Sequence, residues 1–241
     1  TVTVTGVDDN LVDGSVNTTI TMAVVDASSD DNFDDVANQT VTVTTTDNDT
    51  AGFTLSSTTA TVTEAAGGGN TATYTVVLNA QPDSDVVISV TSADTGEVTV
   101  SSGTLTFTNG NWNNAQTVTL TGVDDNVIDV DTQTTVTMAV VDNDSDDNFD
   151  SVANQTVTVT TTDNDTAAFT LGAISGNVAE SGTTATFTVV LGAQPDSDVV
   201  ISVTSGDTGE ATVSAANLTF TNGNWNSAQT VTVTGVDDNI I

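Results

Sequence analysis

The sequence predicts an all-β fold made of antiparallel β-sandwich modules in tandem, and three observations predict it. Apolar residues alternate with Thr at a period of two, as in Thr40–Thr46 and Thr156–Thr162, the pattern of a strand with one buried face. No segment carries a helical period. The pattern also repeats: Thr1–Asn10 returns as Thr117–Asn126 and again as Thr230–Asn239, at offsets of 116 and 113 residues. A period that long matches a whole small domain rather than one coil of a solenoid.

Other segments keep the same spacing. Asp47-Asn48-Asp49 returns at Asp163–Asp165, Gln81–Asp85 at Gln194–Asp198, and Asn109–Trp112 at Asn222–Trp225. The three-residue difference falls at Gly67-Gly68-Gly69, shortened to Ser181-Gly182 in the next copy. A length change tolerated there predicts a surface loop. The chain is therefore divided into 1–49, the last three strands of one module; 50–165, a complete module; and 166–241, the first five strands of a third. It starts and stops at the same phase of the repeat, inside a strand. Residues 1–241 are thus expected to be a window on a longer chain. The alternative, broken modules completed by neighbouring chains, meets an objection: residues 230–241 duplicate the opening strand, so a joined module would hold it twice.

The complete module reads as seven strands. The first covers Gly52–Thr63, the second Thr71–Leu78 and the third Val86–Thr91. The fourth covers Val98–Thr108, with a break near Ser102-Gly103. The fifth covers Thr117–Gly122, the sixth Thr134–Val141 and the seventh Thr156–Thr162. Thr favours strands and keeps an outer face wet without charge. Seven antiparallel strands in about 115 residues predict an immunoglobulin-like sandwich.

Alternating strand direction then sorts the loops. Glu64 opens the first-to-second connection, and Asp94 lies with Glu97 in the third-to-fourth. Asp124, Asp125, Asn126, Asp129 and Asp131 fill the fifth-to-sixth, and Asp163-Asn164-Asp165 follows the seventh strand. All four groups meet at the end where the chain leaves the module. The 33 acids face no Lys, Arg or His, so the net charge is −33. No side chain can pair a carboxylate, and such a cluster must protonate or hold a cation. Carboxylates, Asn and backbone carbonyls in flexible loops suit Ca2+; Mg2+ would ask for a tighter octahedron with fewer carboxylates. The expected ligands are Glu64, Asp94, Asp124, Asp125, Asp129, Asp131, Asp163 and Asp165. Their counterparts are Asp8, Asp9, Asp13, Asp47 and Asp49 before the module, and Glu180, Asp207, Asp237 and Asp238 after it.

The opposite end is acidic too. Asp83 and Asp85 sit in the second-to-third connection, and Asp142, Asp144, Asp146 and Asp147 in the sixth-to-seventh. The run Asp142–Asp146 has the alternating spacing of a calcium loop but lacks its later Gly and Glu, so this end is expected to be a weaker site. Two acidic ends meeting across the short linker at Asp49–Phe53 need ions between them, which places calcium at the joints.

Composition excludes other classes. Nucleic acid and anionic membranes require Lys or Arg, and no apolar run is long enough to span a bilayer. The absence of Cys removes disulfides. A Ser nucleophile would lack a His, which leaves only a carboxylate-pair glycosidase; the acids crowd repeated loops instead, so no enzyme is expected. The alternative function is ligand binding, to ice through Thr ladders or to glycans through Trp112 and Trp225. Outward Thr on ordinary strands and Trp packed as a core plug explain both features more simply. Asn17, Asn38, Asn143, Asn154 and Asn217 head Asn-x-Ser/Thr triplets, open to sugars only in a glycosylating source.

Taken together, these segments resemble the Calx-β repeat, a calcium-binding sandwich named for sodium–calcium exchangers and common in large bacterial surface proteins. The resemblance spans the chain. It rests on Thr63-Glu64, the Gly122–Asn126 loop, Asp163-Asn164-Asp165, and Phe107–Trp112 leading into Gln116–Gly122. It implies calcium at the exit end, held by Glu64, Asp94, Asp124, Asp125, Asp163 and Asp165. The chain departs from the family where Asp129 and Asp131 stand in place of Glu, where Asn164 interrupts the terminal acids, and in lacking Lys and Arg. The expected role is a structural repeat of a secreted or cell-surface protein or filament. Its partners would be neighbouring repeats and other copies in a fibre.

Overall fold

The computed structural model describes residues 1–65 and 70–237. The length change at Gly67–Gly69 and the expected ligand Asp238 lie outside these residues. The first unit contributes one hairpin, β1 (Val16–Met22) with β2 (Gln39–Thr45). The complete module follows with β3 (Phe53–Leu55), β4 (Thr59–Thr63), β5 (Thr71–Leu78), β6 (Val86–Ser92) and β7 (Val98–Val100). It continues with β8 (Thr104–Phe107), β9 (Gln116–Gly122), β10 (Thr132–Val140) and β11 (Gln155–Thr162). The third unit holds β12 (Phe169–Leu171), β13 (Thr184–Leu191), β14 (Val199–Ser202), β15 (Ala211–Val213), β16 (Asn217–Phe220) and β17 (Gln229–Gly235). Among the described residues the only helical segments are single 3-10 turns such as Asp142–Asp144 and Asp147–Phe149.

The chain is all-β, and its complete module is a two-sheet sandwich. One sheet runs β4-β11-β10-β6-β8 and the other β3-β5-β9-β7. Between them lie Phe107, Ile88, Leu120, Val118, Val136, Met138 and Val157, all buried. Tyr74 reaches the same core and donates its hydroxyl hydrogen bond to Met138 Sδ at 2.9 Å. Along each strand the alternate Thr side chains face outward, so the period of two becomes the two faces of each sheet.

Two expected strands are each divided between the sheets, and the same device divides both. Ser56 stays on the old sheet, where its backbone N–H donates to the Thr75 carbonyl and its Oγ accepts from the Thr75 N–H. The next residue, Ser57, turns the chain through its hydroxyl, which donates to the Thr59 carbonyl. Ser101 and Ser102 do the same between β7 and β8, against Thr119 and Thr104. A hydroxyl that bonds its own backbone two residues on makes a local turn and competes with the ladder.

The first of these switches corrects the expectation of wholly antiparallel pairing. Having crossed over, β4 runs parallel to β11, with Val62 opposite Thr161. No strand is assigned at Thr1–Thr5, whereas its counterpart β9 is held by β5 and β7. In the hairpin β1–β2, Val16, Met22 and Val41 are exposed.

Candidate metal centre at the module exit

Four segments bring acids to one end of the sandwich. Glu64 follows β4, Glu97 precedes β7, Asp125 and Asp129 lie between β9 and β10, and Asp163 and Asp165 follow β11. Gly122 makes the convergence possible. A Cβ there would lie 2.3 Å from the Thr63 carbonyl oxygen, so only glycine lets β4 approach β9 so closely. Glu64 is thereby pressed toward the loop that Gly122 opens, and its own N–H continues the parallel pairing to the Thr162 carbonyl at 3.3 Å.

Two groups of carboxylate oxygens result, each with members within 4.8 Å of one another: Glu64 with Asp125 and Asp165, and Glu64 with Glu97 and Asp129. Glu64 belongs to both. It is only 2 % exposed. Its Oε2 has no hydrogen-bond partner, and neither have Glu97 Oε2 and Asp165 Oδ2. Buried polar atoms are rarely left so. Burial first, then the charges of Asp125, Asp129, Glu97 and Asp163, lift the Glu64 carboxyl from 4.5 to about 7. Burial likewise pushes Glu97, Asp129 and Asp165 up, with neighbouring carboxylates adding to the rise. The Thr161 hydroxyl beside Glu97 works the other way, although neither its Oγ1 nor Glu97 Oε2 completes a hydrogen bond. Carboxylates crowded within 4.8 Å of one another, three of them with a buried oxygen that has no partner, form a donor set fit for a hard divalent cation.

Not every expected ligand joins these groups. Asp94 spends one oxygen on the Gly96 N–H at 2.8 Å, an Asx turn, and Glu97 at the end of that turn takes the inward position. Asp124 accepts from Asn164 Nδ2 at 3.0 Å, and Asp163 Oδ1 accepts from the Asp165 N–H at 2.7 Å. Asp131 is exposed and outside both groups.

The counterparts are less complete. Before the module, Asp47 accepts from the N–H groups of Asp49 and Gly14 at 2.7 and 2.9 Å, and Asp9 from that of Leu11 at 3.0 Å. Those bonds, led by the one from Asp49, hold Asp47 low, whereas burial and then Asp47, Asp8 and Asp9 push Asp49 up. Asp8, Asp9, Asp13, Asp47 and Asp49 form no such group among the described residues. After the module, Glu180, Asp207 and Asp237 are exposed, and Asp207 repeats the turn of Asp94 on Gly209 at 2.9 Å. None of these forms a group among the described residues.

The entry end is built differently. Asp146 is buried, and both its oxygens serve the backbone: Oδ2 accepts from Asp83 and Ser84 at 2.7 and 3.0 Å, Oδ1 from Asn148 at 2.9 Å. It ties two loops together. Asp83, Asp85, Asp142, Asp144 and Asp147 are exposed and form no such group among the described residues. Trp112 and Trp225 are half-buried and pack on the cores of their units. Asn17, Asn38, Asn143, Asn154 and Asn217 are all exposed.

The joint between units is a backbone contact the sequence reading did not foresee. The Gln81 N–H donates to the Asn10 carbonyl at 2.7 Å, and the Val12 N–H donates back to Gln81 at 3.1 Å, pairing Leu11 with Gln81 in parallel. Val12 packs against the module core, and Asn148 Nδ2 donates to its carbonyl at 2.8 Å. The next joint repeats the first of these bonds, with the Gln194 N–H on the Asn126 carbonyl at 2.7 Å and Val127 paired with Gln194.

No family model matches the chain, and no curated protein matches it. Solved structures do. Domains 4 and 5 of the S-layer protein SbsC are 24% identical at a TM-score of 0.34, over 52% of this chain and 52% of that one. The apo form of the Calx CBD1 domain is 18% identical at 0.35, over 48% of this chain and 100% of that one. CBD12 from CALX1.2 is 14% identical at 0.36, over 77% and 76%. The chain thus spans about half the length of the S-layer fragment. Values this low say nothing of a shared ligand.

Proposed function

We propose that the chain is a calcium-binding structural repeat of an extracellular protein, stiffened by ions held at the module exits. The observation that carries the reading is Glu64: a buried carboxylate with an orphaned oxygen, common to two acidic groups, in a chain without a single Lys, Arg or His. A cation there would be held by Glu64, Asp125 and Asp165, and a second by Glu64, Glu97 and Asp129. Bound calcium would supply the positive charge that no side chain offers. Glu64, Asp125 and Asp165, three of the residues that carry the resemblance to the Calx-β repeat, line this centre and support kinship to that family. The joint contacts support a structural role, since the loop that carries Asp125 and Asp129 also grips the next unit. Catalysis is not part of the reading. No helix among the described residues is long and apolar enough to cross a membrane.

The test is thermal unfolding of the whole chain with calcium and with chelator. At a hundredfold excess over Kd, one site adds about 2.7 kcal/mol to the folded state. A melting temperature indifferent to both additions overturns the proposal.

A further inference from the structure

Among the described residues the first and third units each hold what the other lacks. By the repeat offset of 116 residues the hairpin β1–β2 is the counterpart of β10–β11, and by the offset of 113 β14 is the counterpart of β6. In the complete module β6 pairs with β8 on one side and β10 on the other. In the third unit β14 pairs with β16 alone, so its other edge is free. Strand β4 is paired by β11, and its counterpart at 175–179 forms no strand. The apolar surfaces are open to match. Met138 and Phe149 are fully buried in the complete module, while their counterparts Met22 and Phe33 are 45% and 57% exposed. Ile88 is fully buried, and its counterpart Ile201 is only half-buried. The second joint is unfinished as well. At the first joint Val12 bonds Gln81 and accepts from Asn148; at the second its counterpart Ile128 gains neither bond and is 37% exposed. The counterpart of Asn148 is Asn32, beside the hairpin. None of β1, β2 and β14 carries a charge, so two chains of net charge −33 can meet along them.

We propose that a second copy of the chain completes the third unit, its β1 adding antiparallel to the free edge of β14 and its β2 closing over 175–179. Met22 of the incoming copy then faces Val203 and its Val24 faces Ile201, as Met138 faces Val90 and Val140 faces Ile88. An open sheet edge gains such a strand through main-chain hydrogen bonds, and the side chains set the register. The doubled segment is no obstacle. β17 already stands between β13 and β15, and residues 1–5 of the incoming copy, which form no strand, stay outside. Joining also brings Asp13 and Asp49 of the incoming copy to Glu180 and Glu210, the counterparts of Asp129, Asp165, Glu64 and Glu97. On the calcium reading above, on which this part rests, the completed module gains a metal centre shared between copies. Without an ion the same acids oppose joining.

The experiment is sedimentation velocity on the 241-residue chain over a concentration series, in calcium and in chelator, with calcium uptake read by calorimetry. Wild type in calcium is expected to grow into strings of copies as concentration rises, and chelator to lower the joined fraction. Met22→Asp spoils the hairpin and Ile201→Asp the edge, so each alone stays at the monomer mass of 24.3 kDa. An equal mixture of the two forms a dimer and nothing longer, because each keeps the half that the other has lost. That rescue separates a spoiled contact from a misfolded chain. Wild type that takes up calcium yet stays monomeric, or single variants that assemble like wild type, refutes joining by the hairpin and leaves the calcium reading standing. Equal joining in chelator by a chain that takes up no calcium upholds the completed module and overturns the shared centre together with the calcium reading. Monomers without uptake overturn both.

Discussion

Replacing Glu64 by Gln removes the carboxylate common to both acidic groups while keeping its shape. Its effect on stability has a sign that depends on pH. The carboxyl titrates at about 7 in the folded chain against 4.5 ordinarily. Folding therefore keeps a proton that the unfolded chain releases. Glu64 costs nothing below the ordinary value, its cost grows as pH rises, and the cost levels off above the folded value. A rise of about two and a half pH units corresponds to about 3 kcal/mol at pH 8. Gln carries no such cost, so ion-free Glu64→Gln is predicted to outlast wild type at pH 8 by roughly 10 °C in Tm. The gap closes toward pH 5. With calcium the order reverses, since wild type gains about 2.7 kcal/mol per site at a hundredfold excess and the variant gains little. Calorimetric melts at both pH values, with chelator and with calcium, read all four states. A variant that melts below wild type in chelator at pH 8, or that keeps the full calcium response, would falsify this account of Glu64.

Three other variants separate the parts of the module. Gly122→Ala sets a methyl against the Thr63 carbonyl; it is expected to cost about 1–3 kcal/mol and to weaken calcium binding, read by denaturant melts and titration on the same sample. Asp146→Ala strips three backbone N–H groups of their acceptor; a loss of about 1–3 kcal/mol is expected, with the calcium response intact, and a lost response would return the entry end to the list of metal sites. Leu120→Ala, in the core between the sheets, is expected to cost about 2–5 kcal/mol whether or not calcium is present, as denaturant midpoints would show.

The alternation of Thr with apolar residues made the strands legible, because a two-sided surface needs that pattern and nothing else produces it so regularly. Loop order followed from strand direction, and with it the meeting of Glu64, Asp125, Asp129 and Asp165. What stayed hidden was decided by local hydrogen bonds. The sequence singles out Asp94 over Glu97 as the ligand, yet Asp94 stands two residues before Gly96, the spacing of an Asx turn, which occupies its oxygen and leaves Glu97 in the carboxylate group. Asp146 looked like a calcium-loop acid, and burial turned it into an acceptor for the backbone of its neighbours. The parallel pairing of β4 and β11 depends on the turn at Ser57, a hydroxyl whose partner no periodicity reveals. Gln81 and Gln194 stood out only as repeat markers; that their backbones bridge units could not be read from composition.

The bridges at Gln81 and at Gln194 stand at equivalent positions, each with the Gln N–H on an Asn carbonyl. Any rotation and shift applied over and over generates a screw, whatever its angle. A longer array with this joint would therefore have a definite pitch, set by one small contact rather than by the modules. Proline in place of a single such Gln would remove its N–H donor and put one bend into such a coil. An influence felt at every joint would act otherwise: a few degrees at each, multiplied along the array, would wind or unwind the whole length.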